Sequence, residues 1–98
     1  MHTPGDLWKP HGHCARNRDE IARSETCGCF YCLEVFPPMD VRDWIDVNGH
    51  EEGPPRRGDR TPATALCPRC GIDSVLGSAS GFPVDDPEFL RRMHERWF

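Results

Sequence analysis

The sequence lacks the features that would place the protein in or across a membrane. No stretch approaches the ~20 consecutive apolar residues that a transmembrane helix needs. The N-terminal residues 1–13 have no basic leader followed by an apolar run, as a secretion signal would. We therefore expect a cytoplasmic protein without membrane contacts. In a reducing compartment, paired cysteines are more often metal ligands or redox groups than structural disulfides.

An excess of positive charge is also missing. The chain has 16 acidic and 12 basic residues, which give a formal net charge of −4. Four thiolates and one zinc ion would bring this charge to about −6. A negative protein is repelled by a phosphate backbone, so the composition disfavours general nucleic-acid binding.

The third feature in short supply is apolar material for a core. Hydrophobic residues make up 37% of the 98 residues, while ten prolines and nine glycines indicate much turn and loop. A chain of this size buries proportionally little surface and often needs disulfides or a metal to remain folded. The six cysteines offer both routes.

Two Cys-x-x-Cys turns are the strongest motif in the chain. A structural zinc site takes four ligands in a tetrahedron, and each such turn supplies two thiolates together with backbone amides that hydrogen-bond the sulfurs. The pattern predicts one structural zinc ion, with four thiolate ligands: Cys29, Cys32, Cys67 and Cys70.

The remaining cysteines leave alternatives open. Cys27 or a histidine could replace one ligand, and Cys14 could form a second site with Cys27, His11 and His13. Buried packing is the favoured interpretation of both extra cysteines. A thiol oxidoreductase site at Cys67-Pro-Arg-Cys70 would need a surrounding βαβ pattern, which the sequence does not predict.

The patterns predict an N-terminal arm over 1–13 and a single domain over 14–98 with a mobile loop at 48–62. The domain is expected to be small α+β. A first helix is expected over 14–24 and strands over 33–36 and 41–47. A short helix capped by Asp73 is expected to carry Ile72, Val75 and Leu76. The clearest prediction is a C-terminal amphipathic helix with Asp86 as N-cap and Pro87 at its first position.

The motifs Cys29-Phe-Tyr-Cys32 and Cys67-Pro-Arg-Cys70-Gly-Ile-Asp, with a hairpin-like middle between them, resemble a treble-clef zinc finger. In that fold a zinc knuckle supplies the first ligand pair and a helix N-terminus supplies the second. More narrowly, Cys-Gly-Cys-Phe-Tyr-Cys, the run from Ala65 to Gly81 and the Trp-Phe end are similar to a family of short, uncharacterised bacterial cytoplasmic proteins. That second resemblance implies no known activity.

Treble clefs include the HNH nucleases, so their residues can be compared with this chain. Those enzymes place a histidine general base after the first hairpin strand, where this sequence reads Trp44-Ile-Asp46. Gly71 follows the second pair, where such enzymes often have a histidine. A closed four-thiolate site also leaves no open position for a catalytic metal. His50 and His94 are interpreted as surface histidines without a neighbouring carboxylate pair.

We therefore expect a non-catalytic zinc module that binds another macromolecule, a protein rather than a nucleic acid. The first rival is a nucleic-acid-binding or nuclease-related treble clef that uses the terminal-helix arginines and three loop arginines: Arg56, Arg57 and Arg60. The second rival is a redox-sensing zinc switch, because thiolate ligands can be oxidised.

Overall fold

The computed structural model describes residues 11–46, 50–55, 57–58 and 63–98. The predicted arm over 1–10 and part of the predicted loop, at 47–49, 56 and 59–62, lie outside the described residues. Among the described residues, no helix is both long and apolar enough to cross a bilayer. The elements are, in chain order, α1 (Arg18–Ala22), β1 (Cys27–Cys29), β2 (Val35–Phe36), β3 (Asp43–Ile45), β4 (Glu51–Glu52), β5 (Thr64–Ala65), β6 (Val75–Gly77) and α2 (Pro87–Trp97).

The strands form two small antiparallel sheets. The first sheet has the order β2-β1-β6 and the second has the order β4-β3-β5. In the first, Cys29 lies opposite Val75 and Cys27 opposite Gly77. In the second, Trp44 lies opposite both Glu51 and Ala65. Strands β1 and β3 are therefore the central strands of the two sheets.

Asn17 holds the two sheets together. Its side-chain amide donates to the Val75 carbonyl of β6 at 2.9 Å, and its side-chain oxygen accepts from the Ala65 amide of β5 at 3.1 Å. Asn17 is buried, so both bonds form away from water. A buried amide that satisfies backbone groups on two sheets fixes their relative position.

Arg18 ties α1 to the second sheet. Its guanidinium is fully buried, pairs with Glu51 and lies 4.9 Å from the ring centroid of Trp44. The Nε and Nη2 atoms of Arg18 have no hydrogen-bond partner. Two contacts with one buried cation therefore anchor the helix over β3 and β4.

The buried side chains form two clusters. One includes Trp44, Ile21 and Phe36 and contacts the cysteines of the two turns. The other includes Phe30, Leu76 and Leu90 and lies between the first sheet and α2. The first sheet therefore contributes to both clusters.

The predicted C-terminal helix is confirmed. Helix α2 runs over Pro87–Trp97, and Asp86 is its N-cap, because the Asp86 carboxylate accepts from the Glu88 amide at 3.0 Å. Leu90 and Met93 are buried on its apolar face. Half-buried side chains extend this face at both ends of the helix: Phe89 and Trp97.

Other sequence predictions are corrected. The first helix is shorter than predicted, since α1 covers only Arg18–Ala22. The predicted loop over 48–62 contains strand β4 at Glu51–Glu52, which pairs with β3. The short helix predicted around Ile72, Val75 and Leu76 is wrong, because Val75–Gly77 is strand β6.

Pairing with β1 explains the missing helix. All three residues of β6 are buried, and they pair along the whole of β1. Local helix propensity is a weak preference that tertiary contacts often override. The chain is small α+β, as predicted, but the treble clef is not confirmed, because strand β6 takes the place of the helix expected after the second cysteine pair.

Candidate metal centre

The first cysteine turn lies between β1 and β2. The Cys29 amide donates to the Glu34 carbonyl at 3.0 Å, and the Leu33 amide donates back to the Cys29 carbonyl at 2.9 Å. The Tyr31 amide points to the Cys29 sulfur at 3.4 Å. These bonds close a tight loop, which we call the first knuckle (Cys29–Glu34).

The second turn repeats this pattern position by position. The Cys67 amide donates to the Ile72 carbonyl at 2.9 Å, and the Gly71 amide donates to the Cys67 carbonyl at 2.9 Å. The Arg69 amide points to the Cys67 sulfur at 3.3 Å. This loop is the second knuckle (Cys67–Ile72). Two segments that share little sequence beyond their cysteines therefore fold alike.

The two knuckles face each other and bring four sulfurs together. The sulfurs of Cys29 and Cys70 are 3.7 Å apart, as are those of Cys32 and Cys67. All four lie within 4.8 Å of one another. A disulfide needs an S–S distance of about 2.05 Å, so these are not bonded pairs.

The spacing fits a tetrahedral metal site. With a zinc–sulfur bond of about 2.3 Å, the edge of a regular tetrahedron is about 3.8 Å. The Cys29–Cys70 and Cys32–Cys67 separations are both within 0.1 Å of that value. The four predicted cysteines could therefore hold a metal ion.

Ser74 is a contact that the sequence analysis missed. Its buried hydroxyl lies 3.2 Å from the Cys29 sulfur, and its carbonyl accepts from the Phe30 amide at 3.1 Å. Ser74 thus connects the segment after the second knuckle to the first. A lone serine after a cysteine pair gave no signal in the sequence, because the contact exists only once the sheet has formed.

Burial sets the protonation of the thiols. It raises the pKa of both Cys32 and Cys67 to about 11, and it also raises the pKa of Cys70. Burial acts in the same direction on Cys29, but hydrogen bonds from Ser74 and from the backbone of the knuckle outweigh it and lower its pKa. Without a cation most of the thiols stay protonated at neutral pH, so metal binding must release protons.

The two extra cysteines do not join this cluster. Cys27 is fully buried in the core cluster around Trp44, and burial raises its pKa to about 12. Cys14 packs in the other cluster, where burial raises its pKa to about 11. Their surroundings agree with the packing interpretation.

The histidines proposed for an alternative site lie elsewhere. His11 stacks on Trp97 with ring centroids 3.7 Å apart. His13 lies 2.9 Å from a carboxylate oxygen of Glu20. Neither belongs to a group of converging ligand atoms among the residues that the structure describes.

His50 is an exposed histidine, as predicted, but the prediction that it has no neighbouring carboxylate pair is wrong. Its Nε2 lies 3.0 Å from an Asp43 carboxylate oxygen, and Glu52 contributes a third ligand atom within 4.8 Å of both. His94 is also not simply solvated, because its Nδ1 lies 3.1 Å from the Phe30 carbonyl of the first knuckle.

Comparison with known proteins adds no family to this description. No family model, curated protein or solved structure matches the chain.

Proposed function

We propose that the four-cysteine cluster binds one structural zinc ion, and that the folded chain is a non-catalytic module that binds another protein. The observation that supports the first part is the convergence of the four sulfurs within 4.8 Å of one another, with two separations of 3.7 Å that match a tetrahedral zinc site. Four thiolates close the coordination shell of zinc, which leaves no position for a substrate or an activated water. The soft sulfur donors favour zinc over magnesium, calcium or manganese.

The metal content tests this part directly. Protein purified without chelator is dialysed against a weak chelator such as citrate. It should retain one zinc ion per chain, measured by inductively coupled plasma mass spectrometry. Purified protein that folds with no zinc, or that retains iron instead under aerobic conditions, would contradict the proposal.

Exposed apolar side chains on and beside the first knuckle support a protein partner. Tyr31, Leu33 and Val35 are 43%, 39% and 40% exposed, and Phe98 is 58% exposed. The Tyr31 and Phe98 rings are in contact, with centroids 4.8 Å apart. We call these four residues the knuckle patch. Aromatic and aliphatic side chains at one surface are typical of protein interfaces.

The charges near the patch favour a protein over a nucleic acid. Glu34 is the one charged residue within 30–36, and it is acidic. On α2, Arg91 is paired with Glu88 and lies 3.3 Å from Glu95, so its charge is offset within its own helix. Phosphate binding needs basic groups that neutralise the phosphates and thereby release the counterions of the nucleic acid, and residues 30–36 contain no basic group.

Partner capture tests the second part. Zinc-loaded protein on a support should retain a set of proteins from a lysate, and the double variant Tyr31→Ala/Leu33→Ser should lose them. Met39→Ala is the matched control, because Met39 is exposed and apolar but lies outside the patch. If Met39→Ala removes the same proteins, or if the double variant retains them, the patch is not the interface.

The nucleic-acid rival has its own test. We expect no gel shift of a duplex of about 20 base pairs at micromolar protein in ~0.15 M salt, where nonspecific binding is already weak. Salt-sensitive binding that Arg91→Glu/Arg92→Glu abolishes would favour the rival.

A further inference from the structure

Three potential metal ligands converge on the second sheet, away from the cysteine cluster. Asp43 is the first residue of β3, Glu52 is the last residue of β4, and His50 directly precedes β4. Their ligand atoms all lie within 4.8 Å of one another. The three side chains are half-buried or exposed, with Asp43 48% and His50 49% exposed.

The register of the strands explains why they meet. Asp43 and Glu52 are directly opposite each other in the antiparallel pair, so their side chains share one face of the sheet. His50 is two residues before Glu52 and therefore belongs to the same face. The neighbouring pair, Trp44 opposite Glu51, belongs to the other face, where Trp44 is buried and Glu51 pairs with Arg18.

The charges of this face are unbalanced. Like charges directly opposite each other on adjacent strands destabilise the pairing, and here two carboxylates are in that position. Among the described residues, Glu52 forms no ion pair, and Asp43 pairs only with His50. Glu51, one residue earlier, has the buried Arg18 as its partner on the inner face. On the outer face, the part of the chain that the structure describes offers only His50 as a partner for the two carboxylates.

The separation of His50 and Asp43 is compatible with a bound cation. The 3.0 Å between His50 Nε2 and Asp43 Oδ1 is the separation of adjacent ligands around an octahedral ion whose ligands lie at about 2.1 Å. An imidazole proton shared with the carboxylate accounts for the same separation, and a cation would take the place of that proton. One imidazole with two carboxylates is a donor set suited to divalent first-row metals.

We propose that Asp43, His50 and Glu52 form a second metal site, which binds a divalent first-row transition ion and leaves the remaining positions open to solvent. This site differs in kind from the cysteine cluster. Its donors are oxygen and imidazole nitrogen, it lies at an exposed sheet edge, and three protein ligands do not complete the shell of an octahedral ion. It would exchange its ion readily, whereas the buried thiolate site would not.

Manganese titration of the zinc-loaded protein tests the proposal. Mn²⁺ prefers oxygen and imidazole donors and does not compete for the thiolates, so this experiment is independent of the cysteine site. The free ion is measured by its electron paramagnetic resonance signal. We expect one saturable Mn²⁺ per chain, and selective broadening of the Asp43 and Glu52 amide signals in NMR spectra.

Variants distinguish Mn²⁺ binding at a specific site from nonspecific binding to a negatively charged surface. His50→Ala and Glu52→Gln should each weaken Mn²⁺ binding by about tenfold or more. Glu34→Gln, which removes the same charge from an exposed position on the first knuckle, should leave the affinity unchanged. Retained zinc and an unchanged thermal transition would show that each variant is folded. Binding that does not saturate, that survives His50→Ala, or that falls equally in Glu34→Gln would show an adventitious counterion only and overturn the proposal.

Discussion

The first and second knuckles have the same backbone hydrogen bonds but differ in the residue that closes the loop. Both closing residues have a left-handed backbone conformation, with φ of 66° at Leu33 and 79° at Gly71. Glycine adopts this conformation without strain, whereas a side chain with a Cβ pays roughly 1–2 kcal/mol. The second knuckle has the residue that the backbone favours, and the first does not.

The difference bears on the proposed function because the Leu33 side chain is only partly buried. It is 39% exposed and belongs to the knuckle patch. A large apolar side chain that is partly exposed in a strained conformation supports the proposed contact with a protein partner. Gly71 is also exposed, and a Cβ at that position would meet nothing within 4 Å.

Replacement of a cysteine of the four-cysteine cluster in either knuckle should have the largest effect on stability, and the effect should be the same for both. Zinc binding in small domains contributes on the order of 10 kcal/mol of folding free energy. Cys32→Ser and Cys67→Ser should therefore each abolish the cooperative thermal transition and the dispersion of amide signals.

Cys14→Ser is the control, because Cys14 is buried in the cluster beside α2 and lies outside the four-cysteine cluster. It should remain folded and retain zinc. A folded, zinc-free Cys67→Ser protein would show that the cysteine cluster is not needed for the fold.

Gly28, which directly precedes the first knuckle, should be the next most sensitive position. A Cβ on Gly28 of β1 would lie 2.1 Å from the Val84 carbonyl oxygen, a backbone atom that cannot move aside cheaply. We expect Gly28→Ala to lower the free energy of unfolding by about 1–3 kcal/mol, as overpacking does, measured by urea denaturation of the zinc-loaded protein.

Gly12→Ala is the matched control, since a Cβ there would meet nothing within 4 Å. It should unfold within about 0.5 kcal/mol of the wild type. Equal effects of the two changes would mean that the contact between β1 and Val84 is not tight in solution.

The pairs of cysteines and the helix α2 were predictable because their signals are local. A Cys-x-x-Cys turn contains its own hydrogen bonds, and α2 shows its cap, Pro87 and apolar face within a dozen residues. Strand β6 gave no such signal. Val75–Gly77 became a strand because β1 lies beside it, and that pairing joins residues far apart in the sequence.

The sequence analysis missed one contact at the cysteine cluster and the whole carboxylate–histidine cluster on the second sheet, and both omissions have the same cause. Ser74 reaches Cys29 only through the pairing of β6 with β1. The cluster of Asp43, His50 and Glu52 depends on β4, which forms within a segment rich in Gly and Pro that predicts a loop. Long-range register, which sequence patterns do not encode, decides which polar side chains meet.

A smaller effect is expected where the backbone of the second knuckle requires glycine. Gly71→Ala adds only a methyl group into open space, so the cost comes from the positive φ and should be about 1 kcal/mol. For a domain of this size that corresponds to a fall in Tm of roughly 4–8 °C. Gly71→Asn should cost less, because Asn tolerates the left-handed region better. A fall that is larger for Asn than for Ala would contradict a purely conformational cause.

The smallest effect on stability is expected at the equivalent position of the first knuckle, in Leu33→Gly. Relief of the left-handed strain should contribute about 1 kcal/mol, and the greater freedom of glycine in the unfolded chain should cost roughly 0.5–1 kcal/mol. The two nearly cancel, so the free energy of unfolding should stay within about 1 kcal/mol of the wild type. Partner capture should nevertheless fall, because the variant removes an apolar side chain from the knuckle patch. Denaturation and capture are therefore measured on the same zinc-loaded sample. A loss of stability comparable to that of Gly28→Ala would show that Leu33 serves the fold, and unchanged capture would show that it does not contact the partner.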